Sequence, residues 1–173
     1  MLERLFSFPN PVNEVSARLV AGFVVVLCLG TIVLDLPWMT AVVAYGFLAR
    51  VLTGPTLSPL GQVVTRVVTP ALGLPEKLVA GPPKRFAQGI GAVLSVSAAV
   101  LALGFGAVGA AYVLLAFIVV AATLESAFGF CLGCTIFAAL MRVGVIPSEV
   151  CERCDDIWSR GAAGAPGALD SVA

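Results

Sequence analysis

The sequence contains no histidine. That absence removes the usual acid or base of neutral pH and the commonest metal ligand. Any metal bound here must be held by sulfur or carboxylate. Charge is scarce as well. Asp, Glu, Lys and Arg make up 12% of the 173 residues, against roughly 25% in soluble domains. The formal net charge is +0, so no basic excess supports a nucleic-acid partner. What is abundant is apolar: 60% of residues are hydrophobic and the mean hydropathy is +1.05. The composition is that of an integral, all-α membrane protein whose partner is the lipid bilayer.

The apolar runs predict four transmembrane helices, over about 16–34, 37–53, 86–105 and 109–128. A hydrocarbon layer of about 30 Å takes roughly 20 helical residues. Asn13 is placed to cap the first helix, on which Glu14 and Arg18 stand four apart. The first run is too long for a signal peptide and lacks a small-x-small cleavage site. DLPW forms the next turn, with Pro37 in the first turn of helix two and Trp38 at an interface. Helix two is short for a span and stops at Gly54-Pro55.

Residues 54–85 hold six of the eleven prolines. Within them, LGQVVTRVVT places Leu60, Val63, Val64, Val67 and Val68 on one helical face, with Gln62, Thr65, Arg66 and Thr69 on the other. We expect a short amphipathic helix over about 60–69 lying in the membrane interface; a re-entrant loop is the alternative. In helix three, Gly91, Ser95 and Ala99 form a small-residue stripe suited to close helix packing. The four spans define a single domain over about 1–160, and the tail 161–173 has too little apolar content to order.

In this four-span arrangement all ten Lys and Arg fall on one side, and the turns DLPW and GFGAVG carry none. The positive-inside rule then puts both termini in the cytoplasm. A three-span arrangement would divide the basic residues between the two sides.

Four of the five cysteines stand in CLGCTIFAALMRVGVIPSEVCERC, residues 131–154, as two Cys-x-x-Cys pairs. A short helix over about 134–143 separates them. The orientation sets Cys131, Cys134, Cys151 and Cys154 at the cytoplasmic face, where stable disulfides are rare. Two readings follow. Four thiolates at this spacing can hold a structural zinc. Alternatively, Cys131 and Cys134 form a reactive pair, since Cys134 opens a helix whose N-terminal amides stabilise thiolate, and Cys151 and Cys154 form a resolving pair. Cys28, mid-helix, reads as a packing residue. Glu125 lies within about one turn of the membrane boundary. It forms an ion pair with Arg18 or Arg50, or serves as a proton acceptor beside the cysteines.

The segments FSFPNPVNEVSARLVAG, GPPKRFAQGIGA, FGFCLGC and VCERC resemble a bacterial membrane family, domain of unknown function 4395, over about residues 6–157. FGFCLGC, residues 128–134, is the most specific of them. Members are often associated with rhodanese- or thioredoxin-like proteins in actinobacteria. The resemblance therefore implies sulfur or thiol chemistry at an inner membrane, with such a cytoplasmic protein as partner. It assigns no reaction. Three functions stay open: a thiol redox or sulfur-transfer component, a non-catalytic scaffold whose cysteines hold zinc, and a transporter. The spans show little polar content to serve the last of these.

Overall fold

The computed structural model describes residues 11–54, 56–73 and 77–146. Cys151, Cys154 and the tail 161–173 lie outside them. The chain is built from helices: α1 (Glu14–Val33), α2 (Met39–Thr53), α3 (residues 59–72), α4 (Gly81–Gly104), α5 (Val108–Phe128) and α6 (Leu132–Arg142). A minimal antiparallel pairing joins β1 (Val12–Asn13) to β2 (Leu78–Val79) at the entrances to α1 and α4. Three helices, α1, α4 and α5, are long and apolar enough to cross a membrane. α2 is a shorter apolar helix of 15 residues, about 22 Å at 1.5 Å per residue.

The bundle is apolar on its outer surface as well as in its core. Val26, Leu29, Val113, Phe117 and Val120 face outward, while Thr31, Thr40, Thr53 and Ser95 are buried between helices. In water such an outer surface would be an aggregation hazard, and in lipid it is solvated. The buried hydroxyls bond within the bundle: Thr31 Oγ1 donates to the Leu27 carbonyl, Thr53 Oγ1 to that of Ala49 and Ser95 Oγ to that of Ala92. α1 packs along α5 and α2 along α4, while α4 also contacts α5 and α6. The core gathers Val20, Val24, Cys28, Val43, Leu115 and Ile118. Cys28 is fully buried there, in keeping with a packing role.

Local chemistry sets the ends of these helices. Asn13 caps α1, its Oδ1 accepting from the Val15 N–H at 2.9 Å. Glu14 pairs with Lys77 at 2.7 Å instead of stapling to Arg18. α5 ends at Gly129, whose φ of +69° continues the chain in the left-handed region open to glycine.

Several boundaries differ from the sequence expectation. α2 starts at Met39 with Trp38 as its N-cap, which leaves Pro37 outside its first turn. α4 begins at Gly81, five residues before Phe86, because Pro82 and Pro83 occupy its first turn, where no intrahelical N–H is needed. α3 does not stop at Pro70. It runs as Pro59–Val63, a wider π turn over Val64–Val68, and Thr69–Leu72. The wider turn lies just ahead of Pro70, where the missing N–H breaks the regular ladder. Its faces differ too. Thr69, assigned above to the polar side, is buried with its hydroxyl 2.9 Å from that of Ser16, whereas Val63 and Val67 are exposed.

The small-residue stripe works in part. Phe47 of α2 lies against Gly91 so closely that an added Cβ would stand 2.2 Å from its ring. Ser95 is fully buried, but Ala98, not Ala99, continues the packed line.

Candidate functional site: the Cys131–Cys134 turn and the cavity beneath it

The helix bearing the first Cys-x-x-Cys begins earlier than expected. α6 starts at Leu132, which makes Cys131 its N-cap and moves Cys134 from the helix end to its first turn. The Cys131 sulfur takes the position a Ser or Asp oxygen takes in an ordinary cap. It accepts the Cys134 backbone N–H at 3.4 Å. Cys131, not Cys134, is thus the sulfur on the helix N-terminus. It is buried, while Cys134 is half-buried.

The two thiols interact directly. The hydrogen bond from the Cys134 thiol lowers Cys131 below the ordinary thiol range; burial and the Glu125 carboxylate act against it, and Lys84 and the Cys134 N–H act with it. The same hydrogen bond raises Cys134, helped by burial and by the charge of the neighbouring sulfur. The pair therefore holds one readily formed thiolate and one retained proton.

Gly133 brings this turn against α4. A Cβ on Gly133 would lie 2.4 Å from the Ala87 Cβ and 2.5 Å from its Cα. Further along α6, Phe137 stacks at a tilt on Phe86, with ring centroids 5.6 Å apart. From the other side Arg18 secures the incoming chain, donating to the Ser126 carbonyl at 3.1 Å and to that of Ala127 at 3.1 Å. These are carbonyls of the α5 C-terminus, where cations are favoured.

Docking α6 at Ala87 places Cys131 beside Lys84, one turn earlier on α4. Lys84 Nζ contacts Glu125 Oε1 at 2.6 Å, with the two side chains 11% and 18% exposed. Glu125 is therefore paired, but its partner is neither Arg18, which is spent on carbonyls, nor Arg50. Arg50 is 6% exposed; its Nε donates to Gln88 Oε1 at 3.0 Å and its guanidinium lies 4.5 Å over the Phe47 ring. Lys84 was missed because the Pro-Pro segment reads as loop. Pro82-Pro83 as a helix start was the signal that could have found it.

A cavity of about 250 Å³ opens beneath the turn. Arg50, Lys84, Gln88, Glu125 and Cys131 gather at one end, and Val24, Leu94, Phe117 and Ile118 line the other. Among the described residues no group of three or more Cys, Asp or Glu is placed to hold a metal. The second pair, Cys151 and Cys154, lies outside them.

A family model described as a domain of unknown function, DUF4395, matches residues 12–142. No curated protein and no solved structure matches the chain.

Proposed function

This chain belongs to the DUF4395 family, and we propose that it is a multi-pass inner-membrane component of thiol redox or sulfur transfer, with Cys131 and Cys134 as its reactive pair. The observation that carries this reading is the Cys131 sulfur at the N-terminus of α6, accepting the Cys134 N–H with Lys84 close by. Helix N-termini and nearby cations are what lower thiol pKa values at reactive cysteines. Cys131 attacks a disulfide or sulfane sulfur of a partner as thiolate, forming a mixed disulfide or persulfide and expelling the partner's thiolate. Cys134 then gives up its proton and attacks Cys131 Sγ, closing the Cys131–Cys134 disulfide and releasing the bound sulfur group. Cys151 and Cys154 relay to the same site.

The partner is a rhodanese- or thioredoxin-like cytoplasmic protein. In this reading α2 is a fourth span, α3 lies in the interface, and both termini are cytoplasmic, which leaves every Lys and Arg on one side. Glu125 holds Lys84 in place beside the thiolate.

The test is a redox-buffer titration of the purified protein with mass-resolved alkylation. The Cys131–Cys134 pair should interconvert between dithiol and disulfide at a defined potential, and Cys131→Ser or Cys134→Ser should abolish it. Stoichiometric zinc that survives purification and protects all four thiols from alkylation would overturn the reading in favour of a structural metal site.

A further inference from the structure

We propose that the cavity beneath Cys131 seats a lipid-soluble quinone, which takes the electron pair when the Cys131–Cys134 dithiol closes to a disulfide. The proposal rests on the redox reading above and gives the same dithiol a second oxidant, dissolved in lipid, beside the partner's disulfide or sulfane sulfur.

The shape of the cavity points to an amphiphile. Its polar residues lie at the α2 C-terminal, α4 N-terminal, α5 C-terminal and α6 N-terminal ends, and its apolar lining runs inward from there. Leu94 lies ten residues along α4 from Lys84, about 15 Å at 1.5 Å per residue. A ligand would set a polar head at the end bearing Cys131 and an apolar body toward the bundle middle. Phe117, which lines the inner part, is 62% exposed on the outer face of α5. The cavity is therefore open toward the surface that lipid would cover, and a molecule dissolved in the bilayer can enter it sideways.

The head must accept hydrogen bonds. Arg50 is nine-tenths buried and lines the cavity, yet among the described residues it makes no ion pair. Among the described residues its one hydrogen bond is from Nε to Gln88, and its guanidinium lies over the Phe47 ring. A guanidinium carries five donors; among the described residues no fully buried side-chain nitrogen or oxygen lacks a partner, so the remaining Arg50 donors keep access and are available to an acceptor in the cavity. The reactive, thiolate form of the site favours a neutral head. With Cys131 as thiolate, the two cations Arg50 and Lys84 face two anions, Glu125 and Cys131. A permanent anion would find no net charge to bind it. A ring carbonyl satisfies Arg50 without adding charge at rest, and it becomes anionic only as electrons arrive, when the buried cations stabilise it.

The chemistry balances. The Cys131 thiolate adds to the quinone ring, forming an S–C bond, and the carbonyl electrons pass to oxygen. Cys134 loses its proton and attacks Cys131 Sγ; the S–S bond forms and the S–C bond breaks, leaving its electron pair on the ring. Thiolate, thiol, quinone and one further proton from water become disulfide and quinol.

The experiment uses the full chain, reduced and in nanodiscs under anaerobic conditions, with decylubiquinone as probe. Quinol should appear in equal amount to the Cys131–Cys134 disulfide. Arg50→Met should weaken quinone binding by tenfold or more. Ala121→Phe, which fills the cavity from α5 without altering a charge, guards against misfolding of the arginine variant and should block the quinone reaction alone. If glutathione disulfide oxidises the pair and decylubiquinone does not, the quinone proposal fails and the thiol reading stands. If neither oxidises it, both fail. Decanoate occupying the cavity in place of decylubiquinone would overturn the neutral-head assignment.

Discussion

Replacing Gly133 with alanine should loosen the site without touching a reactive atom. The new Cβ would stand 2.4 Å from the Ala87 Cβ and 2.5 Å from its Cα. Carbon atoms prefer about 3.5–4.0 Å, so the start of α6 must withdraw from α4 by about 1 Å. Neither neighbour is the end of a flexible side chain, so the displacement falls on the helices themselves. Overpacking of this kind costs about 1–3 kcal/mol. Cys131 lies two residues before Gly133 and Lys84 three before Ala87, so withdrawal also separates sulfur from ammonium. The variant should melt at a lower temperature in nanodiscs, and the midpoint of its Cys131 alkylation profile should move to higher pH. Gly30→Ala is the control: an added Cβ there meets nothing within 4 Å, and replacing this glycine in the last turn of α1 should be neutral or stabilise by up to about 1 kcal/mol. An unchanged melting point and alkylation profile for Gly133→Ala would refute the claim that this contact positions Cys131.

Lys84→Met and Glu125→Gln should each destabilise by up to about 3 kcal/mol, the lower end for a buried pair because both groups keep some exposure; the double variant should cost less than the two singles summed, read from a thermal double-mutant cycle. Because Cys131 is lowered in the folded chain, its contribution to stability is full above the unfolded thiol value of about 8.5 and is lost as pH falls through the folded value, which chemical denaturation across that window will register. Cys134→Ala removes the hydrogen bond to Cys131 and should move the Cys131 alkylation midpoint up, whereas Cys134→Ser keeps a donor and should move it less. Single cysteines placed at Trp38 and Gly106, in a background without native cysteines, should both label from outside intact cells; labelling at only one would sink the four-span topology.

The long helices were legible because lipid-facing residues need only be apolar. The run from Ser16 to Leu34 and the run from Gly109 to Phe128 therefore announce themselves, and Asn13 and Gly129 mark ends that the structure places within two residues. Proline misled in both directions. Pro82-Pro83 reads as loop but begins α4, and Pro70 reads as a stop but is absorbed by a wider turn. The first error had a cost at the site. It left Lys84 off any helix, so Glu125 was assigned to Arg18 or Arg50. The choice among three basic residues depends on how α4 packs against α5, an approach that no periodicity encodes. The cavity was illegible for the same reason: it is a gap among five helices.

The absence of histidine gives these contacts their significance. A chain without imidazole must set thiol ionisation by other means, and here the terms oppose one another. Burial and Glu125 disfavour a Cys131 thiolate, while the Cys134 thiol, Lys84 and the helix N-terminus favour it. A helix terminus contributes about 0.3–1 kcal/mol, up to about 2 when partly buried, and one pKa unit is about 1.4 kcal/mol. The terminus alone therefore moves the thiol by about a unit at most favourable, too little to secure a thiolate against burial. The neighbouring thiol decides the direction, since it is the largest single influence on Cys131. The spacing Cys-Leu-Gly-Cys consequently does two jobs with one turn: its second cysteine supplies the donor that ionises the first, and its glycine lets that turn reach the lysine.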